Sequence, residues 1–381
     1  MIYFDNAATT IPFPEVLDTY MKTSQRIIGN PSSLHSLGEE ARRLLVRARG
    51  QVADILGVKG EEIFFTSGGT ESDNWALKGS AIAKKNFGRH IIISAIEHPA
   101  VYETANQLEL LGFEISRVGV DNRGMVKLDE LSSLIRKDTI LVSIMAVNNE
   151  IGSIQPISAI GELLEHYPNI HFHVDAVQAV GKIPTEKYLH PRVDFASFSA
   201  HKFHGVRGVG FLYAKKGKDL APLLTGGGQE SNRRSTTENV AGIVSSAKAL
   251  RLYMEKVKAK ENHLQALQKY LLESLKTYEN VTLFTECDED FSPHIVTFGL
   301  RGVRGEVLVH AFEEKQIYIS TTSACSSRKK YPASTLKAMN VPTNLSETAV
   351  RVSLDESNTM AEVEQFLIVF RLLSEKFAKI S

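Results

Sequence analysis

Short runs rich in β-branched and aromatic residues recur along the first two thirds of the chain, at 63–65, 91–94, 114–118, 140–145, 171–174, 195–198 and 209–213. Each is followed or preceded by a stretch with helical periodicity, and this alternation predicts an α/β fold. In an open α/β sheet ligands gather beyond the carboxyl ends of the strands. Thr70, His98, Asn149, Asp175 and Lys202 all lie just past a predicted strand end. From about 241 to 275 the pattern is helical and long, as expected of one helix leading out of a large domain into a second one. The remainder mixes predicted strands at 295–298, 317–320 and 349–353 with helices, the last opening at a capping box, Thr359 and Glu362.

A chain of 381 residues with 43% hydrophobic positions can bury a large core and form two domains. Lys plus Arg and Asp plus Glu are equal at 44 each, so the bulk charge gives no reason to expect direct nucleic-acid binding. Nor does any apolar run approach the length needed to span a bilayer, and Met1-Ile2-Tyr3-Phe4-Asp5 enters a strand pattern without a basic leader. The expected location is the cytoplasm. Cys287 and Cys325 are too few for a disulfide framework and lack metal-ligand spacing with His.

Ser199-Ala200-His201-Lys202 lies some two dozen residues after His173-Val174-Asp175-Ala176-Val177-Gln178. A lysine directly behind an apolar strand, with a carboxylate ending a neighbouring strand, is the constellation that pyridoxal phosphate requires. The amine would form a Schiff base with the cofactor aldehyde, and the carboxylate would keep the pyridine nitrogen protonated. Phe65-Thr66-Ser67-Gly68-Gly69-Thr70-Glu71-Ser72 runs from a strand through a glycine pair into a helix, aiming backbone N–H groups and the positive end of the helix dipole at one point. Such a turn is often mere geometry. Thr70, Ser199 and His201 could add donors to it and make a phosphate seat. His98 reads either as a helix cap or as an imidazole stacked on a cofactor ring. Asp175 and Gln178 read either as an ordinary turn or, from their i, i+3 spacing, as partners of the ring nitrogen and the phenolic oxygen.

These residues, with Tyr3-Phe4-Asp5-Asn6-Ala7-Ala8-Thr9-Thr10, Gly29-Asn30-Pro31-Ser32-Ser33, Val147-Asn148-Asn149-Glu150-Ile151-Gly152 and Ser323-Ala324-Cys325-Ser326-Ser327, resemble the NifS/IscS-like cysteine desulfurases. That family is a branch of the class V, fold-type I pyridoxal phosphate enzymes. The resemblance implies a large domain at 15–255 with a seven-stranded, mainly parallel sheet. It also implies a smaller α/β domain built from 1–14 and 256–381, which carries the catalytic cysteine loop, and a homodimer.

By that resemblance Lys202 is the Schiff-base lysine, His98 the stacking and proton-moving histidine, and Asp175 and Gln178 the ring partners. Gly69, Thr70, Ser199 and His201 would seat the phosphate, and Thr237 would reach it from the neighbouring subunit. Asn149 and Arg351 would hold the substrate carboxylate, the arginine through a bidentate pair. Cys325, in a small, polar and then basic stretch, would be the nucleophile that takes sulfur from L-cysteine and passes it to an acceptor protein. The destination would be iron–sulfur clusters, tRNA thiolation or a cofactor. Arg328-Lys329-Lys330 would guide that transfer or form a solvated loop tip. Cys287, beside acidic residues, reads as inert.

Five positions depart from the family pattern: Thr322, Thr236 and Asp355 stand at expected glycines, and Ser231-Asn232 at an expected Arg-Gly pair. Loops around Cys325 and Thr237 are therefore expected to differ in path. A selenocysteine lyase or other β-eliminating enzyme, and a non-enzymatic sulfur-assembly scaffold, are the alternative readings.

Overall fold

The computed structural model describes residues 1–322 and 335–379. After a short first strand, β1 (Ile2–Tyr3), seven strands follow in chain order: β2 (Ile63–Thr66), β3 (His90–Ser94), β4 (Glu114–Val118), β5 (Thr139–Ser143), β6 (His171–Asp175), β7 (Phe195–Ser199) and β8 (Gly210–Ala214). They form one sheet in the order β2-β8-β7-β6-β5-β3-β4, parallel from β7 to β4 and antiparallel around β8. This is the expected fold-type I α/β sheet.

Helices cover both faces, so six of these strands are buried along their whole length and read as continuous apolar runs. Alternate residues feed two cores. Phe65, Ile92, Val142, Phe172, Val174 and Phe198 enter one, while Phe64, Ile91, Ile93, Leu141 and Phe195 enter the other with Trp75. The edge strand β4 differs, being only partly buried and carrying Glu114 and Arg117, which discourages pairing with another edge.

A second sheet is assembled from β9 (Val281–Leu283), β10 (Ile295–Leu300), β12 (Ser320–Thr321) and β13 (Ala349–Ser353), antiparallel in the order β12-β13-β10-β9. The strand β11 (Ile317–Tyr318) instead pairs in parallel with β1. The single strand expected at 317–320 is thus two short ones serving different sheets. Phe4 sits in the same apolar cluster as Leu271, Phe298, Val350, Phe366 and Phe370, so the start of the chain packs with its C-terminal third.

The one long helix expected at 241–275 is two, Val240–Ala259 and His263–Leu275. The polar run Lys260-Glu261-Asn262 interrupts it, with Asn262 in the left-handed region at φ 61°. Each half keeps helical periodicity but faces a different core: Leu250 and Tyr253 belong to that of the large sheet, Leu267 and Leu271 to that of the second.

Candidate active site

The turn that presents Lys202 is held by backbone bonds that the sequence pattern does not announce. β7 ends at Ser199, Ala200–Lys202 makes a single 3-10 turn, and the N–H groups of Phe203 and Gly205 both return to the Ala200 carbonyl. The segment after β1 lies across this turn. The Thr10 N–H and hydroxyl donate to the His201 carbonyl at 2.9 Å, the His204 N–H donates to Thr10 Oγ1 at 2.8 Å, and Lys202 Nζ donates to the carbonyls of Ala7 and Ala8 at 2.5 and 2.8 Å.

Beside Lys202 is a cavity of about 220 Å³ at the carboxyl ends of the strands. Gly69, Thr70, His98, Asn149, Asp175, Gln178, Ser199 and His201 line it together with Lys202. The helix Gly69–Lys84 begins at its wall, and a Cβ on Gly69 would stand 2.7 Å from Val177 Cγ2, so a larger residue there would force Val177 to shift. His201 Nδ1 meets Thr9 Oγ1 at 3.2 Å, and burial, helped by the charge of Lys202, lowers this imidazole to about 4.

His98 is a helix cap and also lines the cavity. Its Nδ1 accepts the Ala100 N–H at 3.1 Å and caps the helix Pro99–Leu110, while the ring lines the cavity. Burial, with a smaller contribution from Lys202, lowers it to about 4, so the imidazole is neutral and carries its proton on Nε2. Asp175 ends β6, and its Oδ1 accepts the Val177 N–H at 2.9 Å. Burial raises this carboxyl to about 6, opposed by that hydrogen bond and by the charge of Lys202. Gln178 is more committed than expected. Its Nε2 donates to the Ala7 carbonyl at 2.9 Å and its Oε1 faces His294 Nε2 at 3.2 Å, which leaves one amide hydrogen for a group in the cavity.

Arg351, on β13, does not line the cavity but stands behind Asn149. Its guanidinium donates to the Asn149 carbonyl at 2.6 Å, to Ser320 Oγ at 2.9 Å and to Asp5 Oδ1 at 3.0 Å. Nε is buried without a partner among the described residues. Thr237 lines a separate cavity with Ser67, Gly208 and Arg234, so a single chain does not bring it to Lys202. Cys325 and Arg328-Lys329-Lys330 lie outside the described residues. Cys287 is exposed, and its acidic neighbours Glu286, Asp288 and Asp290 all pair with Arg123.

Sequence reasoning missed Asp5, Asp73 and Glu97. Asp73 lines the cavity one helical turn after Thr70, and its Oδ1 lies 3.5 Å from His173 Nε2. His173, two residues before Asp175 on the same face of β6, is bound by Ser143 and Ser197 at 2.8 and 2.9 Å. The usable signal was an aspartate at an otherwise buried helix position. Glu97 is buried with Oε1 accepting from the Ser94 hydroxyl and the Met145 N–H, and with Oε2 unpartnered among the described residues. Burial pushes it from 4.5 up to about 8.

The folded chain therefore holds the Glu97 proton over a range in which the unfolded chain has released it. That contribution is full below about pH 4.5 and is lost as pH rises to about 8. Glu97→Gln should lose less stability than wild type between pH 5 and 8, by on the order of 2–4 kcal/mol. Urea unfolding of both proteins at the two pH values measures this, and parallel curves would contradict it.

Over residues 2–366 the chain matches the family described as aminotransferase class-V. It is 52% identical over 381 residues to the NifS/IcsS protein homolog of Lactobacillus delbrueckii subsp. bulgaricus, covering 100% of this chain and 99% of that one. Identity to the cysteine desulfurase IscS of Methanosarcina thermophila is 42%, covering 100% and 93%. A solved structure of a NifS-like protein superposes with a TM-score of 0.91 at 41% identity, over 98% of this chain and 99% of the other. The cavity at Lys202 thus sits in a chain that belongs to the aminotransferase class-V family and, within it, to the NifS/IscS-like cysteine desulfurases.

Proposed function

We propose that this enzyme converts L-cysteine to L-alanine with the cofactor pyridoxal phosphate, and that Cys325 carries the released sulfur to an acceptor protein. The observation that carries the reading is the cavity itself. An amine (Lys202), a buried carboxyl that lacks a full counter-charge (Asp175), two neutral imidazoles (His98 and His201) and a glycine-bounded helix N-terminus line a single space, with Asp73 a second buried carboxyl. That donor set fits an aldehyde, a pyridine nitrogen, an aromatic ring and a phosphate. When bound, the cofactor supplies an electron-withdrawing ring that accepts the electron pair of a substrate Cα bond.

The rest falls to the chain. Lys202 would hold the aldehyde carbon and, once displaced by the substrate amine, take the Cα proton; His98, whose Nε2 already carries a proton, would be placed to donate one rather than to accept it. Asp175 would face the ring nitrogen, whose positive charge would draw its carboxyl down from about 6. Gln178 would donate its remaining amide hydrogen to the phenolic oxygen, and Thr70, Ser199 and His201 would join the helix N-terminus at the phosphate. Thr237 would come from the second subunit of a homodimer. The exposed apolar side chains of Ile11, Leu17, Met21, Ile28 and Val46 support such an interface.

Asn149 and Arg351 would hold the substrate carboxylate, with Asp5 giving up its share of the guanidinium. The Cys325 thiolate would attack the substrate sulfur. An S–S bond forms as Cβ–S breaks, and the electron pair left on Cβ takes a proton to give alanine. A division into a large domain at 15–255 and a small one at 1–14 and 256–381 is supported by Phe4 in the C-terminal core and by the helix break at 260–262. The proposed site of action is the cytoplasm; no helix of the described residues is long and apolar enough to cross a membrane.

Incubating the purified, cofactor-loaded protein with L-cysteine and dithiothreitol should yield alanine and sulfide in equal amounts. Sulfide accompanied by pyruvate would instead indicate β-elimination, and no product would leave a scaffold.

A further inference from the structure

Asp355 stands where the family pattern has glycine, and the structure gives it work that no glycine could do. It is 1% exposed, two residues past the end of β13 and four beyond Arg351. Its Oδ2 accepts the Ser357 N–H and hydroxyl at 3.1 and 2.9 Å. Its Oδ1 faces His204 Nε2 at 2.9 Å and Lys182 Nζ at 3.4 Å. Glu356 completes the group, 3.4 Å from the same ammonium. His204, Asp355 and Glu356 could hold a metal ion by spacing alone, but Lys182 already supplies a cation there.

His204 is two residues past Lys202. Its ring is stacked on Phe13 at 4.1 Å and its φ is 61°, a left-handed conformation that a non-glycine residue keeps only when its surroundings enforce it. Both ring nitrogens face acceptors: Nδ1 meets the Ile11 carbonyl at 2.7 Å and Nε2 meets Asp355. A neutral imidazole can donate from only one nitrogen. With Asp355 ionised, the second contact requires the second proton. Against the effect of burial, Lys182 and His204 hold Asp355 well below the ordinary carboxylate range, whereas burial raises Glu356; the Tyr253 hydroxyl donates to Glu356 and Lys260 to the Glu356 carbonyl.

We propose that Asp355 holds His204 as an imidazolium, and that this buried ion pair is a positioning device fixing the Lys202 turn relative to the end of the strand that carries Arg351. The two groups that must grip one amino acid, an amine site at Lys202 and a carboxylate site at Arg351, are thereby tied across elements remote in sequence. The functional part of this inference rests on the reading above; the charge on His204 does not.

The test uses the cofactor-loaded protein, Asp355→Gly, and Asp355→Asn as the variant of unchanged volume. Ring 15N spectra of histidine-labelled protein, with His204 assigned by its loss in His204→Asn, should show two N–H groups in wild type and one in Asp355→Gly. L-alanine binding, read from the cofactor's visible absorbance, should weaken about five- to tenfold in Asp355→Gly, a coupling typical of residues joined in one network. Asp355→Asn should also give a singly protonated ring and weaker binding, since it lacks the charge. A neutral His204 ring in wild type, a ring unchanged in either variant, or alanine affinity unchanged once the ring is neutral would each overturn the proposal. Absence of alanine binding by wild type would fall on the functional reading, and the ring spectra would then decide the ion pair alone.

Discussion

Lys202→Ala is expected to lower alanine formation from L-cysteine by at least about a thousandfold, because the covalent anchor and the nearest base are lost together. Among the described residues no other lysine lines this cavity. Lys182 is bound to Asp355 and Glu356 and lines a different cavity. Borohydride treatment of the wild type should fix the cofactor onto one peptide, that containing Lys202, and the variant should release all of it on denaturation. Fixation of the cofactor elsewhere with near-normal turnover would refute the assignment. The variant should also be less stable, since the carbonyls of Ala7 and Ala8 lose a charged donor and the segment across the turn loses a tie.

The central sheet was legible because its strands are covered on both faces, so that burial alone writes a continuous apolar run into the sequence. The same logic explains the two errors of extent. Residues 317–320 read as one strand because apolar content does not tell which sheet a residue joins, and β11 and β12 part company after Tyr318. Residues 241–275 read as one helix because each half keeps its own period, and only a polar triplet marks where the facing core changes.

Residues of the cavity were legible where local geometry names them: a lysine behind a strand, a glycine pair before a helix, an aspartate at a strand end. Contacts made by topology were not. Asp5 reaches Arg351 across 346 residues, and Asp355 reaches His204 across 151. No local period records such pairs. At Asp355 the departure from a glycine was visible, but the change of path was expected only around Cys325 and Thr237, whereas the structure uses the carboxylate. Only what faces the side chain could say so.

Cys325→Ser should reduce sulfide and alanine production to background, while L-cysteine still changes the cofactor's visible absorbance. The two halves of that result separate binding from sulfur transfer. Binding needs an amine and a carboxylate site, which in the proposed reading are Lys202, Asn149 and Arg351, whereas transfer needs a soft nucleophile able to accept sulfur. A serine hydroxyl ionises far too weakly at neutral pH to replace a thiolate, and an S–O bond would not carry sulfur onward to an acceptor. Cys287→Ser should retain full activity. It lies among Glu286, Asp288 and Asp290, whose charges converge on Arg123, and the cleft it lines is not the one at Lys202. Mass spectrometry after a single turnover without reductant should find one added sulfur on the peptide of Cys325 in the wild type and in Cys287→Ser, and none in Cys325→Ser. If sulfur were instead found on Cys287, or if Cys325→Ser still formed alanine, the nucleophile would be misassigned. Pyruvate and sulfide released by Cys325→Ser would point to an elimination in which the thiol takes no part.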